Sequence, residues 1–141
     1  SSTIAEFPRI DDRFCSLPYR YTWMLAMDPS KPVDIKGGSA GNFVLNTLAM
    51  LDVKTGEETH WWCGPTSSLQ EPCFIPRPGS SEEGDGYICQ IVNRLDTSTS
   101  DLLFFDALNI GAGPIAVVNI PIRMRFGLHG NWATSNQINL S

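Results

Sequence analysis

The 141-residue chain is 42% hydrophobic and 18% charged, which suffices for one domain with a core of its own. A net charge of −5 and a pI near 4.8 speak against a nucleic-acid partner, which calls for a basic face. No apolar run reaches the roughly 18 residues of a membrane-spanning helix, and Ser1-Ser2-Thr3-Ile4-Ala5-Glu6 has neither the basic start nor the apolar block of a secretory leader.

Residues 1–18 read as irregular, because Pro8, Pro18 and the cluster Asp11-Asp12-Arg13 interrupt any period. The aromatic run Tyr19-Arg20-Tyr21-Thr22-Trp23-Met24-Leu25 predicts a strand. Residues 28–41, with Pro29, Pro32, Gly37, Gly38 and Gly41, predict a loop. Phe43 to Asp52 fits helix or strand by its apolar spacing. The turn Asp52-Val53-Lys54-Thr55-Gly56-Glu57, leading into Thr59-His60-Trp61-Trp62, makes strand–turn–strand the simpler reading.

In the second half, Glu71 to Ile75 reads as a short strand interrupted by Pro72, and Gly79 to Gly86 as a polar turn. Tyr87–Val92, Leu102–Asp106 and Ile115–Ile120 are then short β-type runs bounded by turn residues. Four short strands joined by polar turns make one blade of a propeller or one sheet of a sandwich, and residues 19–62 supply most of a preceding unit. No sharp repeat links the two units, and two blades cannot close a ring. The chain therefore reads as all-β and as a piece of something longer.

Few residues carry chemistry. Gly37-Gly38-Ser39-Ala40-Gly41 has the nucleophile-elbow spacing but lacks the preceding strand and following helix, so a loop is expected and no serine hydrolase. Glu82-Glu83-Gly84-Asp85-Gly86 lacks the alternating ligand spacing of a calcium loop and reads as a solvated turn. His60 reads as a half-exposed strand histidine. Cys15, Cys63, Cys73 and Cys89 show no C-x-x-C spacing; buried free thiols in a cytoplasmic protein are expected, with two disulfides as the secreted alternative. Asn139-Leu140-Ser141 matches a glycosylation acceptor too close to the end to carry weight.

His129 stands out, because Gly127 and Gly130 let the backbone bend around it in Gly127-Leu128-His129-Gly130-Asn131-Trp132. Glu71 begins an apolar segment, where a buried carboxylate needs a partner, and Glu6 precedes Phe7-Pro8. Composition alone reads both glutamates as surface residues.

Taken in order, Glu6-Phe7-Pro8-Arg9-Ile10-Asp11, Leu17-Pro18-Tyr19-Arg20-Tyr21, Asn46-Thr47-Leu48-Ala49, Gln70-Glu71-Pro72-Cys73-Phe74-Ile75-Pro76-Arg77, Glu83-Gly84-Asp85-Gly86-Tyr87 and Leu128-His129-Gly130-Asn131-Trp132 resemble the carotenoid cleavage oxygenases. The wording is most similar to the lignostilbene- and stilbene-cleaving branch. The resemblance implies the C-terminal blades of a seven-bladed β-propeller, within a single propeller domain that residues 1–141 only partly cover. It also implies Fe(II) on the propeller axis, held by four histidines, three of them fixed by glutamates. Carried over by motif, His129 would be the last iron ligand, and Glu6 and Glu71 would be ligand-fixing glutamates. The other three histidines and the remaining glutamate fall outside this sequence.

The implied reaction is cleavage by O2 of a carbon–carbon double bond in a small apolar or phenolic alkene, a stilbene or a carotenoid. This chain alone would be inactive without the N-terminal part of the same protein, and association with a membrane surface stays open. The alternative is a non-catalytic propeller that binds partners without iron.

Overall fold

The computed structural model describes residues 4–34, 45–127, 129–135 and 137–138. Ser39 with its glycine loop and Asn139 lie outside the described residues. Among the described residues the strands are β1 (Ile4–Arg9), β2 (Tyr21–Met27), β3 (Thr47–Asp52), β4 (Glu58–Trp62), β5 (Ser67–Leu69), β6 (Cys73–Pro76), β7 (Gly86–Arg94), β8 (Thr99–Asp106) and β9 (Ala116–Ile120). Short 3-10 segments at Asp12–Phe14 and Ala107–Ala112 are the described helical elements.

The first sheet is an antiparallel meander in the order β1-β2-β3-β4. The strand–turn–strand expectation for residues 43–62 holds over the described part. Gly56, at φ 76, closes the β3–β4 turn, and its N–H donates to Asp52 O over 2.7 Å.

The expectation of irregular structure through residue 18 fails for Ile4–Arg9, because β1 pairs with β2 from Ile4↔Met27 to Arg9↔Trp23, and holds for residues 10–18 apart from the 3-10 turn Asp12–Phe14. β1 is the outer strand of its sheet, where a proline such as Pro8 need not supply a ladder hydrogen bond. Its register shifts between Glu6 and Arg9, and Phe7 takes the left-handed φ of 54° there. That irregularity bends the strand and re-aims its side chains.

The second sheet runs β5-β7-β8-β9, with β6 also pairing with β7. It therefore has five strands rather than four. Ser67–Leu69 escaped the sequence reading because a three-residue strand carries no alternation to detect. Glu71 precedes β6 instead of opening it, so the interruption at Pro72 falls between two strands.

β7 buries Gly86, Ile88, Gln90 and Val92 on one face, a period of two along nine residues. Gly86 faces Pro76, and a Cβ added to it would stand 2.3 Å from Ile75 O and 2.7 Å from the Phe74 ring. The polar turn preceding it is bonded into the fold rather than wholly solvated. Glu83 Oε1 accepts from the backbone N–H groups of Arg20 (2.6 Å) and Tyr21 (3.0 Å), and Arg77 Nε donates to Asp85 Oδ1 over 2.7 Å.

One core joins the sheets: Trp23, Leu25, Leu48, Leu69, Phe74, Ile88, Val92, Leu103, Phe105 and Ile110 belong to a single buried cluster. Trp23 stacks on Phe74 with centroids 5.1 Å apart, and its Nε1 donates to Ala107 O over 2.8 Å. Trp61 meets Phe105 edge-on at 4.9 Å. Each large side chain so buried contributes on the order of 1.5–3 kcal/mol against exposure, so the shared core holds the two sheets against each other.

Cysteine burial is uneven. All four are free; Cys63 is buried, Cys73 and Cys89 are half-buried, and Cys15 is exposed, contrary to the expectation of four buried thiols. Burial pushes the Cys63 thiol up to about 12 and the Cys89 thiol up to about 11, so both stay protonated near neutrality.

Candidate metal centre

Residues 121–127 are exposed and form no strand, yet side chains from between β5 and β6 hold this segment. Gln70, only 6% exposed, donates through Nε2 to Arg125 O (3.2 Å) and accepts at Oε1 from Gly127 N–H (3.1 Å). Its own backbone is fixed by Gln70 N donating to Ile91 O (2.9 Å), while Gln90 Nε2 donates to Gln70 O (2.8 Å). A Cβ on Gly127 would sit 2.9 Å from Gln70 Oε1. A larger residue here would have to displace the Gln70 amide, and Gly127 has no left-handed φ of the kind the sharp bend suggested by the sequence would need. Gly130 has neither a left-handed φ nor a neighbour within 4 Å of an added Cβ.

Glu71, next in the chain, continues the tether. Its Oε2 accepts from Gly130 N–H over 3.0 Å and lies 3.4 Å from His129 Nδ1. Its Oε1 accepts from Arg9 Nη2 over 3.2 Å, and the same Nη2 donates to Gly130 O over 2.6 Å. The Glu71 side chain is 11% exposed and that of Arg9 17%, so the reading of Glu71 as a surface residue fails. A carboxylate this shielded needs a cation and donors, and it has both.

His129 is the opposite case: its side chain is 78% exposed. The Phe7 ring, displaced by the irregularity in β1, meets the imidazole edge-on with centroids 5.8 Å apart. Phe7 also packs against the core, which links that ring to the rigid part of the fold.

The structure thus brings Glu71 to His129. Glu6 lies exposed on β1 opposite Leu25, and among the described residues its carboxylate has no hydrogen-bond or ion-pair partner. His60 is exposed on β4, with Nε2 2.9 Å from Glu58 Oε2, in keeping with an ordinary strand histidine. A cleft of about 460 Å³ beside Trp132, lined by Asp11, Arg13, Phe74 and Pro76 among others, includes none of His129, Glu71 and Glu6.

The donor chemistry fits a metal ligand. One imidazole nitrogen faces a carboxylate that can fix the tautomer, and the rest of the ring is open for coordination. Among the described residues no group of three or more His, Cys, Asp or Glu side chains converges, so His129 would be one ligand of a centre that needs further donors. Sequence reading missed Arg9 and Gln70. The available signals were a cation two residues beyond Phe7 and a glutamine beside the one glutamate that precedes an apolar strand.

Two antiparallel sheets share one core, with a histidine loop tethered beside them, an arrangement that matches two adjacent blades of a β-propeller. The family model of retinal pigment epithelial membrane protein (RPE65) matches residues 1–134. The chain belongs to this family, the carotenoid oxygenases.

It is 49% identical over 138 residues to lignostilbene-alpha,beta-dioxygenase isozyme III of Sphingomonas paucimobilis, covering 98% of this chain and 28% of that protein. The crystal structure of Pseudomonas brassicacearum lignostilbene dioxygenase superposes with a TM-score of 0.87 at 39% identity, over 94% of this chain and 28% of that one. Cobalt-substituted Synechocystis apocarotenoid oxygenase superposes with a TM-score of 0.81 at 32% identity, over 95% of this chain and 26% of that one. The chain thus spans little more than a quarter of the relatives it matches, and the all-β propeller expectation holds for the part it represents.

Proposed function

We propose that the protein containing this chain is an Fe(II)-dependent dioxygenase that cleaves the double bond of a stilbene or of a carotenoid or apocarotenoid. The observation that carries the reading is the single imidazole placed 3.4 Å from a shielded carboxylate, on a loop tied to the blade by Glu71. When bound, Fe(II) supplies open coordination positions and the redox chemistry by which O2 converts one C=C into two carbonyl groups.

This chain's residues do the positioning. His129 turns Nδ1 toward Glu71 Oε2, 3.4 Å away, so that Nε2 would be the ligand atom. Phe7 supplies an apolar contact to the ring, edge-on at 5.8 Å. Glu6, exposed and without a partner among the described residues, is available to a histidine from another blade. Lignostilbene and apocarotenoid oxygenases among the similar proteins support an extended apolar or phenolic alkene as substrate. The remaining ligands come from the N-terminal part of the same protein, and a cytoplasmic location belongs to the same proposal, supported by four free thiols.

The test is His129→Ala in the full-length protein, with iron content measured alongside stilbene cleavage. The expected outcome is a folded protein that loses both. A variant that folds and still holds about one iron per chain defeats the reading.

A further inference from the structure

We infer that Arg9 is a positioning residue for the metal centre, acting on His129 through Glu71 and Gly130. The inference rests on the reading of His129 as a metal ligand and goes beyond it by naming what holds the ligand loop.

The argument starts from geometry. A glutamate that orients a histidine must itself be held, because its side chain has three rotatable bonds and a carboxylate that can turn either oxygen to the ring. Here Arg9 Nη2 takes Oε1 (3.2 Å), which leaves Oε2 for His129 Nδ1 and Gly130 N–H. The same nitrogen also takes Gly130 O (2.6 Å), so both backbone groups of the residue after His129 are fixed. Arg9, Glu71 and Gly130 form a closed ring of hydrogen bonds beside an imidazole that little else restrains.

Arg9 can serve as the fixed point because it is not on the loop. It closes β1 opposite Trp23, and its carbonyl accepts from Thr22 Oγ1 over 3.1 Å. The register shift falls between Glu6 and Arg9, in the stretch that carries Phe7 against the His129 ring and ends at Arg9 beside Gly130. The ion pair is shielded, so it is screened far less than a surface pair and keeps its geometry. Both hydrogen bonds leave from the single nitrogen Nη2, so a lysine ammonium keeps the charge and can remake them only in so far as its one nitrogen reaches the same point.

The experiment uses the full-length protein with Fe(II) and, separately, Co(II) as a visible-absorption reporter of ligand geometry. Arg9→Met is expected to speed removal of Fe(II) by a chelator about 10–100-fold and to shift the Co(II) spectrum, with little change in KM and a lower kcat. Arg9→Lys should recover part of the retention. In the double variant Arg9→Met/Glu71→Gln, the loss should fall well short of the product of the two single losses, because the arginine acts largely through the glutamate.

Multiplying losses, or an Arg9→Met protein with unchanged iron retention and an unaltered Co(II) spectrum, overturns the inference. A lower melting temperature with unaltered Co(II) and Fe(II) behaviour in the folded fraction also overturns it, as a purely structural role. Should Arg9→Met not fold, the Arg9→Lys spectrum and chelator rate decide alone, with no change counting against the inference. His129→Ala run in parallel separates the two ideas: retained iron there defeats the metal-ligand reading itself, whereas lost iron there with an unaffected Arg9→Met protein defeats only the role of Arg9.

Discussion

Individual side chains show how far local environment sets chemistry. Glu71 and Glu6 have the same functional group, yet one is packed between Arg9, Gly130 and His129 and the other stands exposed on an outer strand. Asp52 is a third outcome. A hydrogen bond from the Arg20 side chain, helped by the N–H groups of Lys54 and Thr55, holds its carboxyl at about 2 instead of the ordinary 3.8. A carboxyl whose folded value is depressed stabilises the fold at pH above its unfolded value, and that contribution is lost as pH falls toward the folded one. The difference in urea midpoint between the parent protein and Asp52→Asn is therefore expected to be constant near neutrality. It should shrink as pH drops from about 4 to about 2, and a gap unchanged across that window would contradict the assignment.

Among the elements, β6 and β7 carry the most demanding contact. Gly86 opens β7 so close to Ile75 O and the Phe74 ring that no side chain fits, and Phe74 in turn stacks on Trp23 of the other sheet. Gly86→Ala should therefore cost about 1–3 kcal/mol by forcing the pairing apart. Urea unfolding of the full-length variant measures it, and a neutral result would mean that β6 shifts freely. The same element logic explains the tether. β5 and β6 both pair with β7, and the bend between them presents Gln70 and Glu71 side by side to the exposed segment. The irregular β1, with Phe7 at a left-handed φ, brings Phe7 to the His129 ring and Arg9 to Glu71 and Gly130.

At the level of the whole molecule, two sheets share a core but leave much unpaired. β1 and β4 are the outer strands of the first sheet, and β9 is an outer strand of the second. Ile115 (60%), Val117 (51%) and Val118 (51%) are exposed on or beside β9, and Ile122 and Phe126 beyond it. Open edges and exposed apolar side chains favour association. The chain expressed alone is expected to self-associate in sedimentation velocity and to retain no Fe(II) after gel filtration. A monodisperse monomer that keeps iron would contradict both the edge argument and the need for further ligands. His129 leads to the same view, since a ring 78% exposed beside a shielded carboxylate is suited to further donors.

The positions of β2, β3, β4, β7 and β8 follow from aromatic and β-branched composition and turn chemistry, with burial every second residue plain in β7. His129 and Glu71 were legible only as members of motifs, and β1 and β5 were not legible at all. Proline and short length hide a strand whose pairing is supplied by neighbours distant in the chain. Which glutamate meets the histidine was likewise beyond local pattern: Glu71 and His129 are 58 positions apart and Arg9 is 120 from it. Their meeting depends on how β1 bends and how β5 and β6 share β7. Residue order thus determined most of the strands and the family, and tertiary packing alone decided which side chains meet His129, because a hydrogen bond forms only where folding brings donor and acceptor within about 3 Å.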